Sequence, residues 1–201
     1  MQPRPPWPMA RVEPHRHMQL SESQALATLA SNDGTEGKAR ACQQLAIVGG
    51  AAAVPALAGL LGNEKLASHA RSGLENISDP LAGAALIKAL PSLDGRLLAG
   101  AVTSLGVRRE TAAVPELQLL IDDPKRGAAE PALAALGQIA SDQALVIILK
   151  ILSTGPAGLR VPAAQAALTA TERVDPESKA KLFKAVNSAD VPAHVKAAAS
   201  L

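Results

Sequence analysis

The residues that could ligate a metal or act as nucleophiles are few and lie far apart in the sequence. Cys42 is the single cysteine, so it can form neither an internal disulfide nor a cysteine-based zinc site by itself. Beyond the first twenty residues the histidines are His69 and His194, and neither is next to a glutamate. His15 and His17 could bind a metal weakly, but we expect plain disorder there. The sequence thus predicts no catalytic residue, no metal site and no cofactor.

Two other groups of residues carry a weak chemical signal. The segment GTEGK at 34–38 has glycines and a lysine, as phosphate-binding loops do, yet it lacks their full spacing and a preceding strand. We expect a loop between helices there. The acids Glu110, Glu116, Asp122 and Asp123 lie near predicted helix ends and turns, where carboxylates usually stabilise the helix dipole or face water.

The composition favours helices as the elements that position these side chains. Hydrophobic residues make up 48% of the 201, and we count 42 alanines against one Trp, one Phe and no Tyr. Alanine is the best helix former, and its small side chain allows close helix contacts. We therefore predict an all-α protein whose core consists of Leu, Ile, Val and Ala.

The charge balance argues against a nucleic-acid partner. The net charge is +2, and residues 21–201 carry 17 basic and 17 acidic residues. The longest basic runs are the pairs Arg108–Arg109 and Lys125–Arg126, whereas nucleic-acid binders normally carry a basic patch or stripe. We expect no nucleic-acid partner.

Residues 1–20 differ in composition from the rest of the chain. They read MQPRPPWPMARVEPHRHMQL, with five prolines and no apolar run of signal-peptide length. We predict a disordered proline-rich leader, or one that results from a wrongly chosen start codon; Trp7 could alternatively serve in a docking peptide. No segment has eighteen uninterrupted apolar residues, so we expect a soluble, by default cytoplasmic, protein without a membrane partner.

From residue 21 onward one helical pattern recurs with a period of about thirty residues. An alanine stands four positions before a leucine in five segments, which places the two side chains on one helical face. We call these leucines the anchors: Leu45, Leu74, Leu105, Leu136 and Leu168, separated by 29, 31, 31 and 32 residues.

A second set of leucine-rich helices is predicted between the anchor helices, around residues 57–61, 86–90, 117–121 and 147–152. Turn signals such as SDP at 78 and VDP at 174 separate the two sets, since Asp caps free amides and Pro suits a first turn. Pro55 and Pro115, sixty residues apart, should open the first helices of two repeats. Pro131 and Pro162 precede their anchors by five or six residues, so those helices should start late or bend.

This pattern of thirty-residue helical hairpins resembles HEAT repeats, specifically the alanine-rich phycobilisome-lyase type, over residues 21–201. The resemblance implies a right-handed α-α superhelix, or solenoid, of about five to six antiparallel hairpins. Proteins of that fold also include enzymes, whose active-site residues would be recognisable in the sequence. The histidine–glutamate pairs of its di-iron hydroxylases are missing, and residues 21–182 contain no aromatic side chain on which a DNA glycosylase could stack a base. No residue marks a tetrapyrrole site.

The resemblance further implies that the second helices line a concave face. Residues one, two and five positions before each anchor should project there, and this ridge changes from polar to small and apolar along the chain. The candidate partner-binding residues are Arg40, Gln43, Gln44, His69, Ser72, Thr103 and Ser104, followed by the small residues Gly73, Pro131, Ala134 and Ala135. A peptide or helix could lie along them, although small residues in this column could also reflect tight helix packing alone.

We therefore predict a non-catalytic protein-interaction scaffold that binds a protein or peptide. Two alternatives stay open: an accessory segment of a larger multidomain enzyme, or a lyase-type domain for a chromophore or small ligand. Ala197 and Leu201 correspond to Ala164 and Leu168, so the chain stops within a sixth second helix. It could be a fragment of a longer array, or it could self-associate through the open C-terminal repeat.

Overall fold

The computed structural model describes residues 20–199, and every regular element among them is helical, which confirms the all-α prediction. The predictions for residues 1–19, including Trp7, His15 and His17, lie outside the described part. The α-helices are α1 Glu22–Ala30, α2 Thr35–Val48, α3 Val54–Ala58, α4 Ala67–Asn76, α5 Pro80–Ala89, α6 Gly95–Arg108, α7 Val114–Asp122, α8 Ala129–Ile139, α9 Asp142–Thr154, α10 Ala157–Ala170, α11 Pro176–Ser188 and α12 Ala193–Ala198. Short 3₁₀ turns occupy Ala51–Ala53, Leu90–Ser92, Thr111–Ala113 and Pro124–Arg126.

Polar side chains begin several helices at the predicted turn signals. The Asp79 carboxylate accepts a hydrogen bond from the Leu81 amide, and Asp175 does the same for Glu177 and Ser178. In each case proline follows the aspartate at the first helical position, where its missing amide has no partner within the helix. These caps fix where the chain enters a helix and so keep the hairpin period.

Pro55 and Pro115 open α3 and α7, as predicted. They lie in two similar segments, AAAVPALAGLL from Ala51 and TAAVPELQLL from Thr111, which we call the repeated phrase. Each copy begins with a 3₁₀ turn that precedes the helix. α3 is only five residues long because the chain unwinds into turns after Ala58. Gly49 ends α2, and a Cβ there would lie 2.4 Å from the Leu45 carbonyl oxygen, so only glycine fits without a shift. The repeated phrase thus builds the same helix start twice.

The helices contact one another in a regular order. Each odd-numbered helix packs against the even-numbered helix that follows it, from α1 with α2 to α11 with α12. The even-numbered helices also form a row in which α2, α4, α6, α8, α10 and α12 each contact the next. Contacts also link α3 with α5, α7 with α9, and α9 with α11. We call the even-numbered helices the second helices and the odd-numbered ones the first helices.

Leucine and alanine fill the space between the two sets of helices. The anchors Leu45, Leu74, Leu105 and Leu136 are 0% exposed, as are the alanines Ala41, Ala70, Ala101 and Ala132 that stand four residues before them. Burying a leucine side chain contributes about 1.5–3 kcal/mol relative to leaving it exposed. The alanine–leucine pairs therefore mark the core side of the second helices.

The fifth anchor differs from the prediction. Leu168 is only half-buried, and Ala167, at 0% exposure, occupies the buried position that lies 31 residues after Leu136. The buried positions of α10 are all alanines, which allows α10 to approach α8 closely: a Cβ on Gly137 would lie 2.6 Å from the Ala166 carbonyl oxygen. Small side chains at this contact make a leucine anchor unnecessary.

This register also places Pro131 and Pro162 at one equivalent position, five residues before Leu136 and Ala167. Pro131 lies in the first turn of α8, so that helix does start late relative to its neighbours. Pro162 lies inside α10, which begins at Ala157. In the last helix, Ala197 is exposed while Val195 and Ala199 are buried, so Ala197 is not the core counterpart of Ala164; Leu201 lies outside the described residues.

Candidate functional site

The structure places the seven predicted partner-binding residues at three levels of exposure. Arg40, Gln43, Ser72 and Thr103 are exposed, Gln44 and His69 are half-buried, and Ser104 is buried. All seven lie on second helices, along three neighbouring members of the row. Arg40 forms an ion pair with Glu36 one turn earlier at 3.5 Å, and both side chains remain largely exposed.

The prediction that Ser104 projects from the surface is wrong. Its side chain is 0% exposed, and its hydroxyl donates to Glu75 Oε1 at 2.5 Å while Arg71 Nη1 donates to it at 3.4 Å. Arg71 Nη1 also donates to the Gly100 carbonyl at 2.9 Å. Ser104 is therefore part of a polar connection between α4 and α6 and is not available to a partner.

The same correction applies to the position immediately before each anchor. Gly73, Ser104 and Ala135 are all buried there, because this side of a second helix faces the neighbouring second helix. A Cβ on Gly73 would lie 2.8 Å from Leu57 Cδ1 on the first helix α3 and 3.6 Å from the Cys42 carbonyl oxygen on α2. Ala135 packs against α6, where a Cβ on Gly106 would lie 2.9 Å from the Ala135 Cα. Small residues at these positions thus serve close packing, which was the alternative explanation for them.

The exposed face of the second helices is instead formed by the residues two positions before and two positions after each buried anchor, of which Gln138 is half-buried and the others are exposed. Four positions separate the two, so they lie on one side of each helix. We call these residues the ridge: Gln43, Ser72, Thr103, Ala134 and Gln165 before the anchors, and Ile47, Asn76, Val107, Gln138 and Thr169 after them.

The positions after the anchors were missed by the sequence reasoning, which counted only backwards from each leucine. Ile47 is 72% exposed and Val107 is 53% exposed, so the ridge also presents aliphatic side chains. The signal was present in the sequence, since an apolar or amide residue stands two positions after four of the five anchors of the corrected register. Only Thr169 departs from this pattern.

At its C-terminal end the ridge contains a cleft between α8 and α10. Its volume is about 360 Å³, and we call it the proline cleft because Pro131 and Pro162 lie on its two sides. Gln138, Gln165 and Thr169 add polar groups to the same cleft. A partner side chain that lies along the ridge could enter this cleft.

A larger cavity of about 510 Å³ adjoins the proline cleft through Glu130 and Pro131, which line both. We call it the loop pocket, since the chain segments that join α7 to α8 and α9 to α10 form it. Its lining residues are Ile121, Asp122, Pro124, Gly127, Ala129, Glu130, Pro131, Ile151, Pro156 and Leu159. The walls are mainly apolar, and two carboxylates lie among them.

A third cavity, of about 550 Å³, lies between the first helices α3 and α5. Val54, Pro55 and the 56% exposed Leu81 line it, together with Lys88. A smaller cavity of about 340 Å³ lies between α7 and α9, where Val114 and Pro115 correspond to Val54 and Pro55, while Gln143 and Val146 correspond to Leu81 and Ala84. The repeated phrase therefore forms two related grooves on the first helices.

The potential metal ligands and nucleophiles do not come together. Residues 20–199 contain no group of three or more His, Cys, Asp or Glu side chains that could hold a metal ion. Cys42 is buried, and burial raises the pKa of its thiol above the ordinary value, with a backbone hydrogen bond opposing part of this shift. A protonated thiol is a poor nucleophile. Cys42 thus behaves as a small core residue.

Comparisons with known proteins do not indicate a family or a function for this chain. The chain matches no protein-family model, and no curated protein matches it at a significant level. Between residues 20 and 199, no helix has both the length and the hydrophobicity that crossing a bilayer requires.

Proposed function

We propose that this protein is a non-catalytic protein-interaction scaffold built as a solenoid of HEAT-like repeats. The observation that carries the proposal is the row of second helices, each in contact with the next, whose exposed residues keep one register from Gln43 to Gln165. Stacked hairpins of this kind present an extended surface, which is the usual way in which solenoids bind partners. Chemistry would need convergent reactive groups, and the ridge carries hydroxyls, amides and aliphatic side chains.

The ridge suits an extended peptide or a helix that lies across the second helices. Near its N-terminal end, Gln43, Ser72 and Thr103 offer hydrogen-bonding groups, and Ile47 and Val107 offer apolar contact. Near its C-terminal end, Ala134 and the proline cleft allow close approach of a partner backbone. A partner would therefore form polar contacts with α2, α4 and α6 and tighter packing with α8 and α10.

The test is affinity capture with the full-length chain as bait, from an extract of the cells in which it occurs. We compare it with the triple variant Gln43→Glu, Ser72→Glu and Thr103→Glu, in which three exposed ridge residues on α2, α4 and α6 become acidic. A partner that uses the ridge should bind the variant at least about tenfold more weakly, because it would bury uncompensated charges.

The matched control is the triple variant Ala84→Glu, Ala112→Glu and Gln143→Glu, which adds the same charge at exposed positions of the first helices and the turn before α7. It should retain the partner. Two results would contradict the scaffold proposal. One is that both triple variants lose the partner equally. The other is that no captured protein can be displaced from the bait by adding free purified chain.

A further inference from the structure

The loop pocket has mainly apolar walls, to which three prolines contribute. The rings of Pro124, Pro131 and Pro156 form part of its lining, together with Ile121 and Ile151, which are 5% and 7% exposed. Proline has little side-chain freedom to lose, so such a wall is already in its binding shape. A volume of about 510 Å³ is within the range of small-molecule and side-chain sites.

Two exposed carboxylates in the lining, Asp122 and Glu130, carry charge that the described part of the chain does not neutralise. Neither forms an ion pair or a side-chain hydrogen bond within residues 20–199. Of the two cations in the intervening turn, Arg126 pairs with Asp94 at 3.7 Å and donates to the Leu90 and Leu93 carbonyls. Lys125 pairs with neither carboxylate. The lining of the pocket therefore carries two negative charges without an ion-pair partner among residues 20–199.

The position of Asp122 is unfavourable for the isolated protein. It is the last residue of α7, where the helix dipole is negative and an acidic side chain is destabilising. Glu130, in the first turn of α8, is by contrast at the favourable end of its helix. Helix stability alone thus explains why an acidic residue stands at position 130 but not why one stands at position 122. A cation bound at the pocket would explain an acidic residue at both positions.

We infer that the loop pocket binds a segment of a partner protein in which an aliphatic side chain lies next to an arginine or lysine. The aliphatic group enters between the prolines and isoleucines, and the cation lies between the Asp122 and Glu130 carboxylates. This inference rests on the proposed scaffold function, because the pocket adjoins the proline cleft through Glu130 and Pro131 and so continues the ridge. It specifies the chemistry of one end of the partner segment.

The probes are three dipeptides of different charge: N-acetyl-leucyl-arginine amide, its neutral citrulline analogue of the same shape, and the shorter, acidic N-acetyl-leucyl-glutamate amide. Each is titrated into the ¹⁵N-labelled full-length chain, and binding is followed by amide chemical shifts. We expect the arginine probe to shift the amides of Gly127, Ala129, Glu130 and Leu159, with a Kd about fivefold lower than that of the citrulline probe, as two exposed charge pairs would give. The glutamate probe should bind more weakly still.

The variant that tests the carboxylates is Asp122→Asn with Glu130→Gln, which keeps the shape and removes the charge. It should bind the arginine and citrulline probes with equal affinity, and high salt should have the same effect on the unaltered chain. The matched control, Asp142→Asn with Glu172→Gln, neutralises two exposed acids outside the pocket and should keep the preference for arginine. Amide spectra of both variants report directly whether they are folded.

Three results would overturn the inference: no binding of the arginine probe, equal binding of all three probes, or shifts confined to amides away from the loop pocket. Failure here is separable from failure of the scaffold proposal. A partner captured through the ridge with no charge preference at the pocket would refute only the pocket's specificity. Probe binding at the pocket, with no partner lost in the ridge variant, would refute the ridge and leave the pocket as a site.

Discussion

Arg108 links the end of α6 to the end of α4 and to the residues that follow α4. Its side chain is only 8% exposed, and Nη1 donates to the carbonyls of Leu74 at 2.5 Å and Ile77 at 2.6 Å. Leu74 lies in the last turn of α4, where helical carbonyls have no partner within the helix. The guanidinium at the end of α6 therefore supplies the donors that α4 lacks.

We predict that Arg108→Ala lowers the free energy of unfolding by roughly 2–6 kcal/mol, because two buried carbonyls lose their donor at about 1–3 kcal/mol each. Urea denaturation measures the loss. It should persist in high salt, since the main partners of Arg108 are neutral carbonyls and its nearest carboxylate, Glu110, lies 4.0 Å away. The exposed Arg173→Ala should change stability by no more than about 0.5 kcal/mol. Equal effects of the two substitutions would refute the role of Arg108 as a cap.

The side chains of the second helices show which residue-level features a sequence can predict. The two-before positions Gln43, Ser72 and Thr103 are exposed, as expected from the helical period. Ser104 was misplaced because the position one before each anchor was assigned to the concave face, whereas Ser104 is buried against Arg71 and Glu75 in the previous repeat, 33 and 29 residues earlier. Long-range hydrogen bonds of this kind leave no local signal.

At the scale of the element, α11 depends on its first residues for a defined start. Hydrogen bonds from Ser178, from its side chain and then its backbone amide, lower the pKa of the Asp175 carboxyl below its ordinary value of 3.8, and the amide of Glu177 adds to the effect. A lowered pKa in the folded state means that the ionised cap stabilises the helix. This contribution is complete above pH 3.8 and is lost as the pH falls through the lower value of the folded state.

We therefore predict that the start of α11 loosens in acid below the ordinary titration range of an aspartate. The amide shifts of Glu177 and Ser178, followed by NMR from pH 7 downward, should have a midpoint below 3.8. Asp175→Asn keeps a capping side chain that does not titrate, so its amide shifts should not show this transition. A midpoint at or above 3.8 in the unaltered chain would contradict the cap.

The elements themselves were largely predictable, and the exceptions have a packing cause. Alanine–leucine spacing predicted the second helices, and the Asp-Pro signals predicted where the first helices α5 and α11 begin, because both signals are local. The spacing misplaced the anchor of α10 by one residue. Ala164 and Leu168 fit the alanine–leucine pattern, but the buried residue at the anchor position is Ala167. Helix propensity does not reveal that α8 and α10 approach closely enough for alanine to fill that position.

At the scale of the whole molecule, the substantial contacts among the helices of residues 20–199 join helices that are adjacent or next-but-one in the sequence. A repeat period in the sequence therefore predicts this contact order. It does not predict the loop pocket, which depends on how the segments after α7 and α9 meet, nor the choice of face that a partner covers. Those features arise from the differences between repeats, such as Asp122 and Glu130, rather than from what the repeats share.

A row of neighbouring contacts should also make stability position-dependent. Leu105, 0% exposed, lies on α6, which contacts α4, α5 and α8, whereas Leu182, 1% exposed, lies on α11 near the end of the described chain. Either leucine replaced by alanine leaves a cavity that costs about 2–5 kcal/mol. In a nearest-neighbour array the central cavity weakens the coupling between the two halves, while the terminal one loosens mainly its own hairpin.

We predict, from hydrogen exchange followed by mass spectrometry, that Leu105→Ala accelerates amide exchange from α4 through α8 and beyond on both sides. Leu182→Ala should accelerate exchange in α9 to α12 and leave α2 and α4 protected, because those helices do not contact α11. Leu119→Ala, at a side chain that is 66% exposed, serves as the control and should leave exchange nearly unchanged. If Leu182→Ala accelerated amide exchange in α2 and α4 as much as Leu105→Ala does, all the helices would unfold as one cooperative unit. Partner binding along the ridge would then stabilise every repeat equally, instead of stabilising most strongly the repeats that it touches.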